Sequence, residues 1–309
     1  MKTRAKKGRK WLKITGLIFL LIVIGVGTYS YIVYHSFKEA VVTMHEPVQR
    51  TQPEKREKPI VLEEKEPFSV LMLGVDEREG DKGRSDTIIV LAVNPNDESV
   101  KMLSIPRDTR TEIIGKGTED KINHAYAFGG VPMAMDTVEN FLAIPIDYYL
   151  QVNMEGFKDL VNAVGGVTVD NEFAFSQNEF DYPKGQITLD GDEALSYSRM
   201  RYEDPRGDFG RQQRQRQIIE AVIKEGMSVS SLTNFSEIFG ALGKNIKTNL
   251  TLDQMFEIQK NYKTAGKNIQ QMEINETGTM INEIYYGLVA PEEQQRIQEE
   301  LKTQLELQM

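Results

Sequence analysis

"FSVLMLGVD" (residues 68–76) and, after a polar loop, "DTIIVLAVN" (residues 86–94) decide the fold. Both are short β-branched apolar runs bounded by polar residues, long enough for strands and too short for helices. A Pro95-Asn96-Asp97 turn leads into a third run, "SVKMLSIPRD" (residues 99–108). Helical patterning follows over residues 131–142, then a strand at "DYYLQVN" (residues 147–153). "MEGFKDLVNAVGG" (residues 154–166) reads as a helix stopped by glycine, with "VTVD" as the next strand. Strands that are apolar on both sides need cover on both faces of their sheet. Mixed with helices, they predict an α/β fold with a mixed central sheet in a three-layer α/β/α sandwich. The last eighty residues are expected to be helical, with Ile297, Leu301 and Leu305 spaced as one packed stripe.

The domain so begun is expected to span residues 67–309. Ahead of it, residues 35–66 alternate charge, carry Pro47, Pro53 and Pro59, and hold few large apolar side chains. They read as a linker or stalk without a core of its own, with some helix at its start. Further back, "ITGLIFLLIVIGVGTYSYIVY" (residues 14–34) has no charged side chain. At about 1.5 Å per residue, a helix of this length spans a hydrocarbon core of about 30 Å. It ends on Tyr29, Tyr31 and Tyr34 rather than on the small residues of a cleavage site. Residues 1–13 carry seven Lys or Arg and no acid, which predicts a cytoplasmic N-terminus and everything after residue 34 outside the membrane.

The chain has formal net charge −9, so without those seven cations the remainder carries −16. An acidic body is a poor partner for nucleic acid, whose affinity comes largely from neutralised phosphates. With no cysteine there is no disulfide framework and no thiolate chemistry. The only histidine in the domain, His124, is expected to be a satisfied structural residue. Neither a G-x-S-x-G elbow nor a P-loop is present.

Chemistry gathers at the strand ends. Asp76 closes the first strand, Arg84 and Asp86 precede or open the second, and Arg107 and Asp108 close the third. Asp76 and Asp86 should lie close together, and two carboxylates so placed suit Mg²⁺ shared with substrate phosphates. "SRMRYEDPRGDFGRQQRQRQII" (residues 198–219) then holds six arginines and no lysine. If "YSRMR" is extended, Arg199 and Arg201 share a face. "DPRGD" is turn chemistry, with a helix expected to start near Asp208. Along it Arg211, Gln215, Ile218, Ile219 and Val222 form one stripe, polar in its first turn and apolar beyond. The guanidinium fork grips phosphate oxygens bidentately, so Arg199, Arg201 and Arg211 are assigned to an anion site, a pyrophosphate by the number of forks. Arg206, Arg214 and Arg216 fall off the stripe and suit a surface salt-bridge network with Glu203, Asp204 and Asp208.

"LMLGVDER…GRSDTIIV", "SIPRDT", "KINHAYAFGG", "VENFLAIPIDYYLQVNMEGFKDLVNAVGGVTVD" and "LDGDEALSYSRMRYEDPRGDFGRQQRQRQII" resemble, in order, the signatures of the LytR–CpsA–Psr family. The likeness covers residues 68–225 and is nearest to the wall teichoic acid ligases. It implies a membrane-anchored, extracytoplasmic phosphotransferase of Gram-positive bacteria. Such an enzyme moves a glycopolymer from an undecaprenyl-pyrophosphate carrier to the 6-hydroxyl of peptidoglycan N-acetylmuramic acid. The resemblance assigns pyrophosphate binding to Arg84, Arg107, Arg199, Arg201, Arg211 and Gln215. Metal binding falls to Asp76 and Asp86, with Mg²⁺ or alternatively Mn²⁺, and catalysis to Asp76, Asp86 and Arg107. It also implies an apolar tunnel for the polyprenyl tail, a pyrophosphatase side activity and contacts with the cell-wall synthesis machinery. Two rival classes are a non-catalytic receptor for the same lipid-linked glycan and a transcriptional attenuator. Product formation separates the first from the enzyme, and DNA binding at moderate salt would revive the second.

Overall fold

The computed structural model describes residues 7–48, 56, 58–76, 83–226 and 245–307. The chain opens with α1 (Lys7–Met44) and enters the domain at β1 (Phe68–Val75), β2 (Ser85–Asn94) and β3 (Ser99–Ile105). These are the three apolar runs that open the domain, and they form an antiparallel meander with Leu71 opposite Val90 and Val90 opposite Leu103. The small hairpin β4 (Arg110–Ile113) and β5 (Thr118–Lys121) precedes α2 (His124–Leu142). Next, β6 (Tyr148–Val152) returns parallel to β1 and leads into α3 (Met154–Ala163). Four short strands, β7 (Val167–Asn171), β8 (Phe175–Gln177), β9 (Phe180–Tyr182) and β10 (Gly185–Leu189), lie between α3 and α4 (Gly191–Arg199). The long α5 (Asp208–Gly226) follows, then β11 (Ile246–Thr248), α6 (Leu252–Asn261) and β12 (Ile269–Met272). The chain closes with the hairpin β13 (Glu276–Ile281) and β14 (Ile284–Val289) and the helix α7 (Pro291–Gln304).

The central sheet has the order β11-β6-β1-β2-β3-β12 and is mixed. Its two faces bury two separate cores, as the period of two in a strand requires. Along β2, Ile88, Val90 and Ala92 point to one face, where they meet Met135, Val138 and Phe141 of α2 and Ile297 and Leu301 of α7. Ile89, Leu91 and Val93 point to the other, where Ile219 and Ile223 of α5 and Ile258 of α6 close over them. That is the three-layer α/β/α arrangement. A third core under β7, β10, α3 and α4 holds the flank of α5 through Ile218 and Ala221.

Three expectations need correction. The last eighty residues are not uniformly helical, since β11 to β14 lie there; residues 227–244 fall outside the described part. The β13–β14 run is rich in β-branched and aromatic residues, and both turn residues between its strands, Asn282 and Glu283, adopt positive φ (49° and 68°), as a tight hairpin turn requires. The stripe of Ile297, Leu301 and Leu305 is buried on α7 and the residue that ends it.

The second correction concerns the stalk. Met44 is buried against Val152 and Ile246, and the Glu46 amide donates to the Thr248 carbonyl at 2.8 Å. Arg56 pairs with the buried Asp147 at 2.8 Å, and Leu62 joins the core beneath α6. A few apolar side chains and one buried ion pair suffice to dock both ends of the segment; residues 49–55 and 57 lie outside the described part.

Thirdly, "YSRMR" is not extended, because Arg199 is the last residue of α4. Asp190 and Glu193 form a capping box at its start, each side chain closing on the other's backbone amide. The D-x-x-E signal for that helix was present in the sequence.

Candidate active site

Each strand and helix that converges on the site contributes a side chain by its own period. Along β1, Val70, Met72, Gly74 and then Asp76 line a cavity of about 390 Å³. Along α5 the lining is Arg211, Gln215, Ile218, Ile219, Val222 and Ile223, so the stripe read from sequence is one cavity wall. On α4, Leu195, Ser198 and Arg199 face the same space at helical spacing, and α3 adds Phe157, Leu160 and Val161. The two longest walls grade in the same sense. Apolar residues fill one end, and Asp76 on β1 meets Arg211 and Gln215 on α5 at the other. Asp86 and Asn153 complete this polar mouth.

Asp76 and Asp86 are brought together as expected. Val75 pairs with Ser85 across the ladder, and the Asp76 amide donates to the Arg84 carbonyl at 3.4 Å. Arg107 is not itself in the cavity wall but reaches it, its Nη1 donating to Asp86 Oδ1 at 3.0 Å. Arg211 pairs with Asp208 at 2.7 Å, and Arg201 stands 3.9 Å from the same carboxylate. Arg199 lines the mouth without a carboxylate partner among the described residues. Arg84 is exposed and outside the lining, and residues 77–82 beside it are not described.

Burial lowers the Arg107 guanidinium's hold on its proton, but Asp86 and Asp108 outweigh it and keep the group above its ordinary value. For Arg211 burial wins. The neighbouring Arg107 and Arg201 cations add to it, and the group is pushed down despite Asp208. Arg211 Nε is also buried without a hydrogen-bond partner. Crowded guanidiniums of this kind gain from an anion placed among them. Two carboxylate oxygens at paired strand ends also fit a hard divalent cation that takes its remaining ligands from water or phosphate. No group of three or more acids or histidines dense enough to hold a metal alone occurs among the described residues.

Two of the three arginines assigned to a surface network, Arg214 and Arg216, are not on the surface. Arg214 and Asp204 form a pair at 2.6 Å with 4% and 0% of their side chains exposed. Arg214 also donates to the Met200 carbonyl at 2.6 Å and lies over the Phe175 ring. Arg216 is likewise buried, bonded to Gln271 and Glu273 beside β12. Only Arg206 is substantially exposed, spanning Asp204 and Glu172. Asp204 does pair with Arg206 and Arg214 as expected, but these residues tie the turn and α5 into the domain. Gly210 makes this possible, since a Cβ there would overlap the Asp204 carboxylate. His124 is satisfied by Asp120 at 2.8 Å, as a structural histidine should be. The apolar wall from β6, α3 and α4 was not legible beforehand, because its residues are ordinary core types until the cavity beside them is seen.

The α/β/α domain thus carries one cavity whose lining runs from apolar side chains to carboxylates and arginines. The chain belongs to the LytR_cpsA_psr family, whose model matches residues 31–303. It is 51% identical over 307 residues, 99% of this chain and 100% of the relative, to the polyisoprenyl-teichoic acid–peptidoglycan teichoic acid transferase TagU of Bacillus subtilis. It is 54% identical to the protein of the same name from Halalkalibacterium halodurans, over 97% of this chain and 99% of that one. The solved structure of TagT bound to LIIa-WTA matches with a TM-score of 0.73 and 33% identity, covering 85% of this chain and all of that one.

Proposed function

We propose that this protein is a phosphotransferase that moves a glycopolymer, wall teichoic acid by its relatives' names, from a polyprenyl-pyrophosphate carrier to peptidoglycan. One observation carries the reading: a single cavity grades along β1 and α5 from apolar side chains to Asp76, Asp86, Arg199, Arg211 and Gln215. The apolar length takes the lipid tail, and the mouth takes the pyrophosphate. Arg107 is held by Asp86 where it meets the same anion. Arg199, Arg201 and Arg211 grip the non-bridging oxygens and stabilise the negative charge that builds on the departing lipid phosphate. The 6-hydroxyl of N-acetylmuramic acid attacks the phosphorus that bears the glycan. Its new P–O bond forms as the P–O bond to the lipid phosphate breaks, and the hydroxyl proton passes to a carboxylate at the mouth, Asp76 or Asp86. The same two acids would also hold Mg²⁺, which when bound offsets pyrophosphate charge. A pyrophosphatase side activity is water taking the place of the hydroxyl.

The protein is anchored by α1 in this reading, with its N-terminus cytoplasmic. Counted over the described residues, no helix is long and apolar enough to cross a membrane. Support comes from α1 being one unbroken helix of 38 residues, on which Ile14, Leu17, Ile18, Phe19, Leu20 and Leu21 are all more than half exposed. Apolar side chains so displayed need a nonpolar surrounding.

The test uses the full chain in detergent with a lipid-pyrophosphate-linked disaccharide, uncrosslinked peptidoglycan and Mg²⁺, read by mass spectrometry. A phosphodiester-linked glycan on the acceptor that disappears in Arg107→Ala and without divalent metal is expected. Tight donor binding by a folded protein that never transfers would make it a receptor instead.

A further inference from the structure

The β13–β14 hairpin is tied to the site by its backbone. Gly287 donates its amide to the Asp108 carbonyl at 2.9 Å, and Thr109 bridges to Gly287. One face of the hairpin carries Glu276, Gly278 and Met280 opposite Val289, Gly287 and Tyr285. Its middle is floored by two glycines facing each other. An added Cβ on Gly278 would meet the Tyr285 ring, and one on Gly287 would meet the Glu276 carboxylate. The phenol and the carboxylate therefore lie flat along this face from opposite ends. Glu276 accepts a hydrogen bond from Thr109 Oγ1 at 3.1 Å.

The ledge borders the arginine group. Burial raises the Tyr285 hydroxyl, Glu276, Asp108 and Asp208 push it further, and Arg201 pulls it back. Burial likewise raises Glu276, against its bond from Thr109 and with Asp108 and Asp208 adding to the rise. The adjacent Tyr286 shows the contrast. It is buried, hydrogen-bonded to Asp120, with Arg110 and Lys121 both 5.9 Å from its ring, whereas Tyr285 is 46% exposed.

We propose that this glycine-floored face is the acceptor subsite: one pyranose ring of the acceptor glycan stacks on Tyr285 while a sugar hydroxyl donates to Glu276. The inference rests on the phosphotransferase reading, which needs a second substrate beside the pyrophosphate. The chemistry of the face selects that occupant. Glu276, with Asp108 and Asp208 nearby, repels the phosphates that the arginines attract. A carboxylate is a poor neighbour for a lipid chain. An uncharged polyol offers both a C–H face for the aromatic ring and hydroxyl donors for the acid. Continuity with Asp108 and Arg107 places such a ring next to the bound pyrophosphate.

The experiment compares Tyr285→Ala, Tyr285→Phe and Glu276→Gln in the full chain, reading the acceptor and donor KM separately together with direct binding of uncrosslinked glycan strands. Tyr285→Ala should raise the acceptor KM and the strand Kd about tenfold with the donor KM within about twofold, while Tyr285→Phe keeps the stacking and stays near wild type. Glu276→Gln should raise the acceptor KM about threefold. Thermal unfolding of each variant shows that it is folded. A folded Tyr285→Ala with unchanged acceptor KM and unchanged strand binding overturns the proposal. Strand binding that depends on Tyr285 in a protein that transfers nothing leaves the subsite standing and removes the phosphotransferase reading.

Discussion

Arg211 and Arg214 sit one turn apart on α5 and do opposite work. Arg211 faces the cavity with one nitrogen unpartnered, crowded by Arg107 and Arg201. Arg214 points to the other flank, sealed against Asp204, the Met200 carbonyl and the Phe175 ring. The residue type is the same and the burial is not far apart, with 15% and 4% of the side chains exposed. Each keeps an unpartnered buried Nε, so what separates them is what surrounds them. A guanidinium enclosed by a carboxylate, a carbonyl and an aromatic ring is scaffold; one that lines a cavity among other cations is available to an anionic ligand.

The largest effect should come from opening the sealed pair. Asp204→Ala leaves Arg214 charged and uncompensated, and a loss of about 3–5 kcal/mol in unfolding free energy is expected by denaturant titration. Arg107→Ala should show the reverse profile. Turnover falls about 10²–10³-fold in the transfer assay, and stability changes by less than about 1 kcal/mol, because its bond to Asp86 is partly exposed. If Arg107→Ala unfolds the protein, the division between the two groups is wrong.

Acid should reveal the sealed pair again. Burial pushes the Asp204 carboxyl up, but hydrogen bonds from Arg214 and from the Arg206 amide and side chain together hold it below its ordinary value. A depressed carboxylate stabilises the fold above its unfolded pKa, about 3.9, and that contribution is lost as pH falls through the lower folded value. Unfolding followed between pH 5 and pH 2 should lose this slope in an Asp204→Asn variant. The smallest effect is reserved for an exposed pair. Lys247→Ala removes the pair with Glu46, in which both side chains are about half exposed, and should shift stability by no more than about 0.5 kcal/mol in the same titration.

The sheet and most of the candidate site were legible because both depend on short periods. Asp76 and Asp86 come together because one polar loop joins two paired strands, and the α5 stripe is a plain helical repeat. Burial was not legible. Arg214 and Arg216 occupy positions that look solvent-facing on a helical wheel, yet α5 is packed on three sides by the sheet, by α4 and by β7. The carboxyl-terminal hairpin escaped notice because its turn, Asn282-Glu283, lacks the usual glycine. The α4 helix escaped because its nine residues are short and mostly polar, although Asp190 and Glu193 mark its start.

The contact between Gly210 and Asp204 has a consequence for how this segment tolerates change. Asp204 needs Arg214, Arg214 needs Asp204, and both need the absence of a side chain at Gly210. None of the three can be exchanged alone, so the turn and first half of α5 move through sequence space as a block. Chimeras with relatives should therefore be cut outside residues 204–214, while Arg211 inside the intact block and Arg201 ahead of it can be exchanged to retune the anion the mouth accepts.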